Sequence, residues 1–109
     1  MAAAETQLGV PYEWGGATPG VGFDCSGLVM WAYAQVGISL PHSSGDQFAD
    51  GTQIPMSDLE PGDLVFFSDP GQHVAMYVGN GNIIEAPDTG SVVHIVPMYS
   101  EFVLAVRIS

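Results

Sequence analysis

The tripeptide Gly79-Asn80-Gly81 lies between two runs of strand-forming residues, His73 to Val78 and Asn82 to Ala86. Gly and Asn tolerate the left-handed backbone that tight turns demand, so an antiparallel hairpin is expected here. Further strands are expected at Leu64-Val65-Phe66-Phe67, after the Pro61-Gly62-Asp63 turn, at Val92 to Val96 and at Phe102 to Ile108. The first half reads differently. Gly9 to Gly22 is Gly- and Pro-rich and is expected as an irregular loop. From Asp24 to Val36 the pattern is helical, with Cys25, Leu28, Val29, Ala32 and Val36 on one stripe and Gly37 as the stop. Pro41 to Gly51 is expected as a loop with a short helical turn begun by Ser43 or Ser44. Helices first and a strand meander after them imply an α+β fold, N-terminal helices packed on a roughly five-stranded antiparallel sheet.

A chain of 109 residues, 47% hydrophobic, can bury one core and is expected to form one domain over residues 1–109. No apolar run approaches the roughly 18 residues of a membrane span, so membrane insertion is not expected. The first residues, Met1-Ala2-Ala3-Ala4-Glu5, lack the basic and apolar regions of a signal peptide. The chain is therefore read either as cytoplasmic or as a domain of a longer secreted protein. Twelve acids stand against one base, Arg107, for a net charge of −11. Such a surface repels phosphate backbones, which argues against nucleic-acid binding; its simplest reading is solubility.

Cys25 is the only cysteine. It excludes an internal disulfide and a cysteine-based zinc site, and alone it would read as a small buried hydrophobe. Its position argues otherwise. With Asp24 as the cap, the thiol falls in the first helical turn, where free N–H groups and the helix dipole favour a nucleophilic thiolate. Gly27 keeps its surroundings open.

A thiolate nucleophile needs a base, and three histidines compete. His94, within Val92-Val93-His94-Ile95-Val96, reads as an outward strand residue. His42, in the Pro41 loop, reads as solvated or substrate-facing. His73 opens a strand after Asp69-Pro70-Gly71-Gln72, a rigid placement that suits a general base. Hairpin register then selects its partner. A two-residue turn would set Glu85 opposite Met76, away from His73. A three-residue turn, Gly79-Asn80-Gly81, sets Ala75 opposite Glu85 and gathers Val74, Met76, Val78, Ile84 and Ala86 on one apolar face. His73, Ala75 and Glu85 then share the other face, and alternation favours this second register.

Pro11-Tyr12-Glu13-Trp14-Gly15-Gly16, Phe23-Asp24-Cys25-Ser26-Gly27-Leu28, Leu40-Pro41-His42-Ser43-Ser44, Pro61-Gly62-Asp63-Leu64-Val65-Phe66-Phe67 and His73-Val74-Ala75-Met76-Tyr77-Val78-Gly79 follow one another in order. This series resembles the NlpC family of bacterial cell-wall cysteine peptidases, from Gly9 to about Arg107. Gly15 to Gly27 and Ile84-Glu85-Ala86-Pro87-Asp88 are most similar to stretches of the actinobacterial peptidoglycan endopeptidases. The resemblance implies a reduced papain-like fold, with Cys25 as nucleophile, His73 as general base and Glu85 as the orienting third residue. It implies that Tyr12 lines the site and helps hold the oxyanion, although Tyr12 and Trp14 read equally well as loop-packing aromatics. It further implies that Asp24 and Ser44 contact the substrate peptide.

The expected activity is hydrolysis of a peptidoglycan stem peptide, between D-γ-glutamyl and meso-diaminopimelate, with no metal or cofactor. The resemblance implies a secreted or cell-wall-associated protein with further domains in a longer parent chain. Two readings from other classes remain: a papain-like thiol amidase or acyltransferase, which would use the same nucleophile and base, and a catalytically silent peptidoglycan-binding module, whose relatives usually lack the Cys or His that this chain retains.

Overall fold

The computed structural model describes residues 2–108. Helix α1 (Ala2–Glu5) buries Ala4. The Gly-rich stretch after it is more ordered than its composition suggests. Strands β1 (Ala17–Thr18) and β2 (Gly22–Phe23) form a small antiparallel hairpin, and residues 9–12 lie along residues 91–93. The bonds there run from Gly9 N–H to the Val93 carbonyl at 2.9 Å, from Val93 N–H to Val10 at 2.8 Å, and from Tyr12 N–H to Ser91 at 2.9 Å.

Helix α2 spans Cys25–Ala34. Asp24 is extended, and its carboxylate accepts the Gly27 N–H at 2.7 Å, satisfying one of the four orphan donors of the first turn. Leu28, Val29 and Ala32 turn to the core, and Gly37 (φ 83°) takes the left-handed conformation that ends the helical path. The stretch expected as a loop with one helical turn is largely helix α3 (Ser44–Asp50), begun by Ser43 as cap.

Among the described residues, six strands make one antiparallel sheet in the order β3-β8-β4-β5-β6-β7. They are β3 (Thr52–Ile54), β4 (Leu64–Phe67), β5 (Val74–Gly79), β6 (Asn82–Glu85), β7 (His94–Pro97) and β8 (Phe102–Arg107). The expected fold class stands, with one strand more than expected. Edge strand β3 is short and half polar, and it is held only by β8, which no local pattern reveals.

One face of the sheet, with Leu64, Phe66, Val74, Met76, Ile84 and Val106, packs on Leu28, Val29 and Ala32 of α2. The opposite face buries Val65, Ala75, Ile83, Phe102 and Ala105 beneath Met56, Leu59, Tyr77 and Tyr99. Each of the larger apolar side chains among these, Val, Leu, Ile, Met or Phe, contributes about 1.5–3 kcal/mol by leaving water. A cross-strand pair contributes only about 0.2–1 kcal/mol. Burial therefore dominates the choice of register.

The central hairpin shows how. Its turn holds two residues rather than three, Asn80 (φ 57°) and Gly81 (φ 79°), between paired Gly79 and Asn82. A bulge between Tyr77 and Gly79 takes up the odd residue, and beyond it Tyr77 faces Ile83 and Met76 faces Ile84. The body of the hairpin thus keeps the expected register by a different turn.

Arg107 is committed to structure. Its Nε donates to Asp63 Oδ1 at 3.0 Å and its Nη2 to Asp63 Oδ2 at 2.8 Å, and Nη2 also reaches the Asp58 carbonyl. Asp63 is buried, so this two-pronged pair supplies the compensation its charge requires. Among the described residues, no helix is long and apolar enough to cross a membrane.

Candidate active site

The site lies where the start of α2 meets the ends of β5 and β6. Cys25 is the first residue of α2, half-buried and free. Beneath it, Gly27 is a close-packing position: a Cβ there would stand 1.9 Å from the Gly16 carbonyl oxygen. Only a glycine lets the loop that carries Tyr12 lie against the helix that begins at Cys25. Gly27→Ala is therefore expected to cost about 1–3 kcal/mol, a fall of several degrees in Tm, and to reduce turnover by displacing that loop. Thermal unfolding followed by a rate assay checks both, and a parental Tm would remove the close-packing argument.

His73 precedes β5, held by the Asp69-Pro70-Gly71-Gln72 turn, in which the Gln72 N–H meets the Asp69 carbonyl at 3.0 Å. Its ring is buried beside Phe67 and Phe102, at centroid distances of 5.4 and 5.6 Å. Nε2–H donates to Glu85 Oε1 at 2.7 Å. The Cys25 thiol lies near enough to act on the charge of the ring; with Nε2 engaged, Nδ1 is the nitrogen left for sulphur. Burial lowers the pKa of His73, but the hydrogen bonds and charges of Cys25 and Glu85 outweigh it and raise the value to about 9.

Glu85 is buried at 1% exposure. A buried carboxylate requires donors, and it has three: His73 on Oε1, and His94 Nε2–H at 2.8 Å together with the Tyr99 hydroxyl on Oε2. His94 is thus not simply an outward residue. It stands directly opposite Glu85 in the β6–β7 register and shares its face. The strand pattern around His94 shows only alternation. Its pairing partner depends on the irregular segment between β6 and β7, and nothing local to Tyr99 signals its contact either.

The carboxylate of Asp24 is a hub. Besides Gly27 N–H it accepts Gly15 N–H at 3.0 Å, His42 Nε2–H at 2.8 Å and the Ser26 hydroxyl at 3.4 Å. His42 therefore braces the cap of the helix that carries Cys25, a contact between distant segments that no local pattern reveals. Ser44 is buried at the start of α3, and the hydrogen bonds gathered around Cys25 do not include it. Its neighbour Gln47, fully buried, does reach the segment beside Cys25: Nε2 donates to the Ser26 carbonyl at 2.9 Å and to the Pro41 carbonyl at 2.8 Å.

Tyr12 is half-buried beside the site. Burial raises the pKa of its phenol, and Cys25, Asp24 and Asp88 push it the same way, so the hydroxyl keeps its proton as a donor. Trp14 is 87% exposed and does not pack within the loop. A cavity of about 270 Å³ opens beside His73, lined by Phe67, Gln72, Pro87, Asp88 and Tyr99. A larger apolar cavity of about 510 Å³, between α2 and the 37–40 segment, includes neither Cys25 nor His73 in its lining. Among the described residues, no group of three or more His, Cys, Asp or Glu side chains could hold a metal ion.

The sequence profile of the NlpC/P60 family matches residues 9–107. The chain is 46% identical over 106 residues to the peptidoglycan endopeptidase RipA of Mycobacterium tuberculosis, covering 85% of this chain and 22% of RipA. It superposes on the solved structure of the peptidoglycan hydrolase RipB from Mycobacterium tuberculosis with a TM-score of 0.90 at 38% identity, over 98% of this chain and 61% of that one. It is also similar to RipD of the same organism, described as a non-catalytic NlpC/p60 domain protein adapted to peptidoglycan binding. There the TM-score is 0.87 at 35% identity, over 99% of this chain and 93% of that one. The chain spans about a quarter of the length of curated relatives it matches, RipA among them.

Proposed function

Because the chain belongs to the NlpC/P60 family, we propose that it is the catalytic domain of a peptidoglycan endopeptidase, acting through Cys25, His73 and Glu85. The observation that supports this reading is the series itself: a helix-terminal thiol, a buried imidazole whose charge that thiol favours, and a buried carboxylate on the ring's Nε2. Sulphur as thiolate attacks a stem-peptide carbonyl carbon, and the carbonyl π electrons move to oxygen. The Cys25 backbone N–H, unpartnered at the first helical turn, and the Tyr12 hydroxyl donate to that oxyanion. As the C–N bond breaks, the proton on His73 passes to the leaving amine. The ring then takes a proton from water, whose oxygen attacks the thioester and releases the acid and the thiol. On this reading Asp24 and Ser44 are retained as contacts to the substrate peptide, and the scissile bond is taken as the one between D-γ-glutamyl and meso-diaminopimelate. The parent protein is secreted or wall-associated and carries further domains.

Mass spectrometry of purified muropeptides after digestion tests this reading. A new amino terminus on diaminopimelate, with the two products together heavier than the substrate by one water, supports it. Amide release from a side chain, or acyl transfer to an added amine, would instead favour an amidase or acyltransferase. The similarity to RipD favours a second reading, a binding module that does not cleave. Muropeptide retention without any product would select it.

The raised pKa of His73 sets the pH dependence. The protonated ring is the one that donates to the leaving amine, so kcat/KM should fall as pH rises through about 9. The sign for stability is the same: a pKa raised above the ordinary 6.5 stabilises the fold below that value, and the contribution is lost as pH rises through about 9. A pH–rate profile with its alkaline limb near 6.5 would contradict the assignment.

A further inference from the structure

Glu85 has a feature the three-residue mechanism does not use. Its carboxylate receives one donor on Oε1, from the residue before β5, and two on Oε2, from β7 and the connection that follows it. We propose that His94 and Tyr99 are positioning residues that lock the Glu85 carboxylate so that only Oε1 meets His73. The inference rests on the reading of Cys25, His73 and Glu85 given above.

The torsion that turns a carboxylate about its last bond is broad and nearly two-fold, so a single donor would not fix which oxygen faces the imidazole. His94 comes from β7 directly across the ladder, and Tyr99 from the connection between β7 and β8. Two donors converging on Oε2 from different directions fix both the plane and the identity of the free oxygen. That in turn fixes the proton of His73 on Nε2 and leaves Nδ1 to sulphur. Tyr99 is itself held by Phe102, at 5.1 Å between ring centroids, and Phe102 also touches His73. The imidazole and the brace therefore rest on one aromatic wall. A carboxylate that only needed neutralising could be served by any polar neighbour. The directional convergence on one oxygen is what points to positioning.

The test uses His94→Phe, Tyr99→Phe and His94→Gln, the last retaining a donor near the place of Nε2. Thermal unfolding first establishes that each is folded; His94 is partly exposed, and Tyr99→Phe removes a single oxygen, so one of the two remains testable if the other is not. For the folded variants kcat and KM are measured separately on a muropeptide. The low-field proton resonance of His73 Nε2–H is followed by NMR. His94→Phe and Tyr99→Phe should each lower kcat about ten-fold or more, the usual weight of a hydrogen bond to a charged group. KM should move by less than about two-fold, since no substrate contact is lost. The resonance should shift or broaden, and His94→Gln should restore most of kcat. Parental kcat and an unmoved resonance in a folded His94→Phe, with Cys25→Ala inactive, would overturn this inference alone. Turnover by Cys25→Ala would overturn the underlying reading and this inference with it.

Discussion

Cys25→Ala should leave a folded domain whose turnover is reduced by about 10³-fold or more, as when the nucleophile of other covalent hydrolases is removed. The fold should persist because the cap of α2 is the Asp24 carboxylate, not the thiol, and alanine is the best helix former. Circular dichroism and thermal unfolding establish the fold, and product formation from muropeptides gives the rate. Iodoacetamide should label the parent rapidly near neutral pH, with activity falling in step. Labelling no faster than that of a free thiol in an unstructured peptide would count heavily against an activated site. Residual turnover in Cys25→Ala would remove the nucleophile assignment altogether.

Glu85→Gln should reduce kcat by about 10²- to 10⁴-fold, the upper value being that of an Asp→Asn change in a serine triad. The amide keeps the volume but presents an N–H as well as a carbonyl. An imidazole offered that N–H can turn its proton toward sulphur and lose the arrangement in which Nδ1 serves the thiol. The charge that helps raise the pKa of His73 is also gone, so the alkaline limb of the pH–rate profile should move down from about 9. Glu85→Ala should lose somewhat more, since it also leaves His94 and Tyr99 without their acceptor. Near-parental rates in both variants would make Glu85 a bystander.

What could be read from the residues was local or periodic. Asp24 before an apolar helical stripe gave α2 its start, and alternation on either side of Asn80 gave the face on which Glu85 lies. The turn itself holds two residues where alternation suggests three. Alternation constrains the body of a hairpin, whereas a bulge at its mouth changes the turn without disturbing that body. The pairing of β3 with β8 and of β6 with β7 joins segments through irregular chain, and no period spans such a gap. For that reason His94 read as an outward strand residue although it faces Glu85. His42 on Asp24 and Gln47 on the Ser26 carbonyl were hidden likewise, since both contacts join segments 18 to 21 residues apart.

The commitment of Arg107 to Asp63 has a kinetic consequence. The chain has no lysine, and its one guanidinium is spent internally, so its long-range field is that of a nearly pure polyanion. An anionic wall polymer approaching it in dilute buffer meets a repulsion reaching about 30 Å at 0.01 M ionic strength, which contracts to about 8 Å at 0.15 M. Added salt should therefore speed productive encounters with the isolated domain, the reverse of its effect on enzymes steered by opposite charge.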